Sequence, residues 1–120
     1  MTQNKDEHNR RKHIRFPLNG CTLISDLKIG RIVDISHGGM AFYYADRKAW
    51  PKTSCQTGTL KYKNESLALN LPIETVSDVE LPNNYSDGSM TVRRRSVQFG
   101  KLTADQKSQI DKVIDVAIKT

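Results

Sequence analysis

Ile29-Gly30-Arg31-Ile32-Val33-Asp34-Ile35-Ser36-His37-Gly38-Gly39-Met40-Ala41-Phe42-Tyr43-Tyr44 reads as a strand, a tight turn and a second strand. Ile29 to Ser36 is rich in β-branched residues, which suit a pleated backbone. His37-Gly38-Gly39 breaks that run with residues that accept a sharp reversal, and Met40 to Tyr44 resumes it. Asp34 stands in an otherwise apolar stretch, two residues before Ser36, so the period of two places both polar side chains on one face. An ordinary β-turn explains Asp, Ser and two glycines in this order. It does not explain a carboxylate between Val33 and Ile35.

The flanking segments have the same β character. Cys21 to Ser25 reads as a short strand, and Asp26 opens the turn after it. Gly58 to Lys63 and a run from Leu67 to Ile73 form a hairpin about Asn64-Glu65, with leucines and Ile73 alternating with Ala68, Asn70, Pro72 and Glu74. Pro72 predicts an edge position or a bulge. Met90 to Phe99 is the last strand, and its apolar positions change parity between Val92 and Val97, which predicts a bulge or a strong bend there. Residues 45–57 and 81–89 are connecting loops, the first long enough for a turn of helix. The tail changes period: Thr103 and Gln106 match a capping box, and Ile110, Val113, Ile114 and Ala117 follow at helical spacing. Six or seven short antiparallel strands followed by one helix predict a mainly β fold, a closed barrel with the helix laid on an opening or on a partner.

At 120 residues the chain is one domain with a modest core. Cys21 and Cys55 have neither metal-ligand spacing nor the pattern of a disulfide scaffold, and Cys21 reads as a small core residue. No apolar run reaches the roughly 20 residues of a membrane helix, and the polar N-terminus does not read as a signal peptide. A cytoplasmic location without membrane insertion is the expectation. His8, His13 and His37 are scattered and predict no metal site, and adjacent Ser36 and His37 point to opposite faces of a strand, so no catalytic pair is expected.

The net charge of +6 is concentrated. Residues 1–15 hold five Lys or Arg against two acids, Arg93-Arg94-Arg95 add three more positive charges, and the remainder cancels. That distribution suits a localised anionic ligand. The arm Arg10-Arg11-Lys12-His13-Ile14-Arg15 precedes Phe16-Pro17, where Pro17 disfavours helix. Arginine forks bind phosphate oxygens and the O6/N7 edge of guanine, and a carboxylate accepts from the N–H donors of a base. Arm and turn together describe a site for a guanine nucleotide with exposed phosphates. Arg93–Arg95 read as a salt-bridged strand, with a reserve role in gripping phosphate.

Arg11-xxx-Arg15 followed by Asp34-x-Ser36-x-x-Gly39 resembles the RxxxR and [DN]xSxxG signature of PilZ domains, bacterial receptors for cyclic di-GMP. Ser96-Val97-Gln98-Phe99-Gly100-Lys101-Leu102 and the helical tail are similar to the end of a PilZ barrel. The resemblance implies a tail at 1–9 that is flexible, and a single domain at 10–120 comprising an arginine arm (10–16), a barrel (18–100) and a C-terminal helix (103–118). It implies a non-enzymatic receptor that needs no cofactor, takes cyclic di-GMP as its ligand and passes the signal to a separate effector protein; the polar arginine arm is expected to become ordered on binding. The expected ligand-binding residues are Arg10, Arg11, Arg15, Asp34, Ser36, Gly38 and Gly39. Two other readings compete: a small β-barrel that binds nucleic acid through its basic arm and tyrosines, and a PilZ adaptor without ligand. Concentrated rather than spread basic charge makes nucleic acid the lesser of these.

Overall fold

The structure is a computed structural model that describes residues 13–25, 28–46, 56–82 and 91–119. Seven strands and one helix follow in order: β1 (Phe16–Pro17), β2 (Cys21–Ser25), β3 (Lys28–Ile35), β4 (Gly39–Asp46), β5 (Gln56–Tyr62), β6 (Glu65–Glu80), β7 (Thr91–Phe99) and α1 (Ala104–Lys119). All pairings are antiparallel, in the order β1-β3-β2-β5-β6-β7-β4 with β4 returning to β3. β2 to β7 therefore close a six-stranded barrel, and β1 is an additional strand. Closure removes the unpaired edges that an open sheet would expose.

β3 makes this possible by changing neighbours along its length. Its first half pairs with β2, as Thr22 with Arg31, and its second half pairs with β4, as Ile35 with Met40. On the edge that β2 vacates, Phe16 and Pro17 pair with Ile35 and Asp34, and the Leu18 amide donates to the Val33 carbonyl at 3.1 Å. The short strand is not visible as a periodicity. Pro17 lacks a donor and is tolerated because β1 is an edge.

The barrel core comprises Leu18, Cys21, Leu23, Ile32, Ile35, Met40, Phe42, Tyr44, Leu60, Leu71, Ile73 and Val97. α1 starts on the expected capping box: the Gln106 amide donates to Thr103 Oγ1 at 3.1 Å, and the Thr103 amide donates to Gln106 Oε1 at 3.0 Å. Its buried face of Ile110, Val113, Ile114 and Ala117 joins the same core, against β6 and β1. A register shift at Leu69-Asn70, next to Pro72, frees backbone groups that α1 satisfies through Gln106 and Gln109.

Two expectations need correction. β6 runs on past Ile73 to Glu80. β7 carries no bulge against β4, its register being continuous from Gly39–Gln98 to Asp46–Thr91. The apolar parity breaks without a bulge because the inward position before Val97 is Arg95, whose relative exposure is 0%. Register shifts fall instead at Val33 in β3 and Val76 in β6. The expected helical turn at 47–55 lies outside the described residues.

Candidate functional site

β7 presents three consecutive arginines, and strand alternation sends them to opposite faces. Arg95 and Arg93 point toward Asp78, which is itself fully buried. Arg93 Nε donates to Asp78 Oδ1 at 2.6 Å, and the Tyr44 hydroxyl donates to Asp78 Oδ2 at 2.5 Å. Arg95 Nη1 lies 3.5 Å from Asp78 Oδ2, and its Nε donates to Thr75 Oγ1 at 2.8 Å. The hydrogen bond to Asp78 raises the Arg93 guanidinium above the usual arginine range. Two of the three arginines are thus committed to an internal ion cluster, the salt-bridged strand that their sequence suggested.

Arg94 faces the other way. Its Nη2 lies 3.8 Å from Asp34 Oδ2, and Arg15 Nη1 approaches Asp34 Oδ1 at 3.5 Å. Asp34 is a strand residue of β3, in register with Pro17 on one side and Ala41 on the other. The shift at Val33 turns Asp34 outward while Ile32 and Ile35 both remain in the core. β1 sets Arg15, one residue before Phe16, beside it. The side chains are 17% (Asp34), 33% (Arg15) and 39% (Arg94) exposed. A carboxylate between two guanidinium groups, both at the long end of ion-pair contact, is thereby displayed on the barrel's outer face.

The turn beside Asp34 is held by Ser36. Its hydroxyl oxygen accepts from the amides of Gly38 and Gly39, and its proton goes to the Gly39 carbonyl, each at 3.2 Å. One donor and two acceptors exhaust what a hydroxyl offers. The Ser36 amide also donates to the Gly39 carbonyl at 2.8 Å. Gly39 is needed where it is because a Cβ there would lie 2.2 Å from the Val97 carbonyl oxygen. Gly38 is less confined, since its Cβ would meet the His13 ring, a movable side chain. His13 and His37 rings stand 6.3 Å apart, and His37 Nε2 is 3.0 Å from Asp111 Oδ1 on α1, which ties arm, turn and helix together.

Of the residues singled out in the sequence, Arg15, Asp34, Ser36, Gly38 and Gly39 converge here. Arg10 and Arg11 lie outside the described residues. Arg94 joins the group without having been distinguished from its two neighbours, and only its alternation with Arg95 could have set it apart. Tyr44 is buried on Asp78, whereas Tyr43 is half-buried, in register with Arg94 and Arg31, beside a shallow groove of about 350 Å³. Among the described residues no three His, Cys, Asp or Glu side chains gather where a metal ion could sit, and no helix is long and apolar enough to cross a membrane.

Comparison with known proteins places this fold. A family model described as the PilZ domain matches residues 9–115. The fold is shared with the PilZ domain with c-di-GMP of YcgR from Escherichia coli, at a TM-score of 0.72 and 15% identity over 92% of both chains. It is also shared with MrkH, described as a c-di-GMP-dependent transcription regulatory factor, at a TM-score of 0.66 and 17% identity over 92% of this chain and 52% of that one. A longer YcgR structure in complex with c-di-GMP gives 0.64 and 16% over 92% and 46%. A search among curated proteins returned no match.

Proposed function

The chain belongs to the PilZ domain family, and on that premise we propose that it is a non-enzymatic bacterial receptor for cyclic di-GMP that acts in the cytoplasm on a separate effector protein. The observation that carries this reading is Asp34, an outward carboxylate 3.5 Å from Arg15 on a sheet that needs neither for its core. Asp34 accepts from the N1–H and N2–H₂ donors of one guanine. Arg15, together with Arg11 and Arg10 upstream, grips phosphate and the O6/N7 edge. Ser36 holds the turn so that the backbone of Gly38 and Gly39, which carries no side chain, lies close to the bound base. The arm at 10–16 becomes ordered over the ligand, bridging to the barrel (18–100) that carries Asp34–Gly39, while the helix (103–118) changes little, and the ordered arm offers the partner a new surface.

Calorimetric titration with cyclic di-GMP, cyclic di-AMP, GTP and single-stranded DNA tests this. Low-micromolar or tighter binding of cyclic di-GMP, and far weaker binding of the rest, is expected. Adenine lacks the N1–H donor and puts an N6 donor where guanine has O6, so both Asp34 and an arginine would face like groups. Equal affinity for cyclic di-AMP removes the guanine reading, and preferential uptake of DNA makes the chain a nucleic-acid binder. Amide hydrogen exchange should show gained protection at 10–16 and 34–39 on adding ligand, with little change in α1.

A further inference from the structure

Resting on the receptor reading, we propose that Arg94 is a further arginine of the ligand site, one that lies in neither sequence motif. Four observations converge on it. Alternation along β7 turns it outward while Asp78 takes up Arg93 and Arg95. Its guanidinium lies 3.8 Å from the carboxylate assigned to guanine and is 39% exposed. A single contact at 3.8 Å with a guanidinium open to solvent holds weakly, so the fork is readily exchanged for a phosphate or guanine oxygen that it can meet bidentately. Charge gives the fourth reason: Arg15 and Asp34 cancel, whereas the ligand carries two phosphates. Among the described residues ion-paired on this face, Arg94 leaves the site net positive.

Bound ligand rearranges the triad. The guanine donors take over Asp34, and the two guanidinium groups that flanked it turn to the ligand's oxygens. Arg94 enters from β7, opposite the arm, so the nucleotide is gripped from both sides and half of that grip is built on a rigid strand.

The test is calorimetry with cyclic di-GMP on the full chain, comparing the parent with Arg94→Ala, Arg94→Lys and, as an outward control on the same face, Arg31→Ala. Arg94→Ala should weaken binding at least tenfold, Arg94→Lys should fall between it and the parent, and Arg31→Ala should stay within about twofold. Raising the ionic strength should cost Arg94→Ala less affinity than it costs the parent, because one attractive charge is already gone. A merely structural role would not move that dependence. Should Arg94→Ala fail to fold, Arg94→Lys keeps charge and stem, and its partial loss of affinity supports the proposal while parental affinity overturns it. If the parent binds and Arg94→Ala binds equally or better, Arg94 only competes with ligand for Asp34 and the proposal falls alone. If the parent takes up no cyclic di-GMP, the receptor reading fails and this one with it.

Discussion

Arg94 and Arg95 are neighbours on one strand, each beside an aspartate, and they live under different physics. The Arg95 and Asp78 side chains are both fully buried; Tyr44 and Arg93 hydrogen-bond to Asp78, and Thr75 accepts from Arg95. Arg94 and Asp34 lie 3.8 Å apart on the outer face, with side chains 39% and 17% exposed. A buried ion pair cannot be broken on one side without stranding a charge, whereas an exposed pair can trade partners at small cost. The inner pair therefore belongs to the barrel, and the outer one is open to exchange. Residue type does not separate the arginines that hold the barrel from the one proposed for the ligand; the face of the sheet does.

The hardest blow to this contrast is Asp78→Ala. It strands Arg95 inside the barrel and should lower stability by about 3–5 kcal/mol in urea denaturation, a large part of a typical total of about 5–15. A loss below about 1 kcal/mol would mean that the inner pair is as exchangeable as the outer one.

Cys21 probes the same interior without an ion pair. Burial pushes its thiol from 9.0 up to about 11. The native state then keeps a proton that the unfolded state gives up, so the contribution is intact below pH 9 and is lost as pH rises from about 9 to 11. At about 1.4 kcal/mol per unit this amounts to roughly 2–3 kcal/mol. Base titration of the parent against Cys21→Ala should show the parent losing more stability across that window. At pH 8, alkylation followed by peptide mapping should find Cys21 unmodified in the folded chain and labelled in denaturant.

Between the two faces lies the turn. Gly39→Ala sets a Cβ against the Val97 carbonyl oxygen and forces the β4–β7 pairing apart. It should cost about 1–3 kcal/mol in thermal or urea unfolding. Gly38→Ala displaces only the His13 ring and should cost well under half as much. Equal penalties would show that the turn, and not the contact with β7, demands glycine at 39.

The smallest stability effect should come from the residue proposed to read guanine. Asp34→Asn keeps the side chain's shape and removes a partly buried charge held only by long ion pairs of 3.5 and 3.8 Å, so unfolding should shift by less than about 1 kcal/mol. Affinity for cyclic di-GMP should nevertheless fall by tenfold or more, read by the same calorimetry. A stability loss matching that of Asp78→Ala would erase the distinction between the faces.

Much of the architecture is legible in the chain itself. β-branched runs, glycine turns and a capping box predict a mainly β barrel with a C-terminal helix, and the fold agrees. The convergence of Arg15 with the Asp34–Gly39 turn is legible from motif order, although Arg15 and Asp34 are 19 residues apart in the chain. β1 is not, because two residues carry no period and Pro17 argues only against helix. The parity break in β7 suggests a bulge only if every inward position is apolar, and Arg95 is inward by virtue of Asp78 on another strand.

Local propensity and spacing determine what each segment becomes, since they depend on backbone sterics and on neighbours within a few residues. That much the chain of 120 residues settles by itself. Which arginine meets which carboxylate is a matter of barrel closure and register. β7 lies between β4 and β6, and the shift at Val33 aims Asp34 outward. Tertiary structure alone decided that Arg93 and Arg95 hold the barrel together while Arg94 faces solvent, because burial raises the cost of an unpaired charge by several kcal/mol and a sequence does not state which side of a sheet is dry.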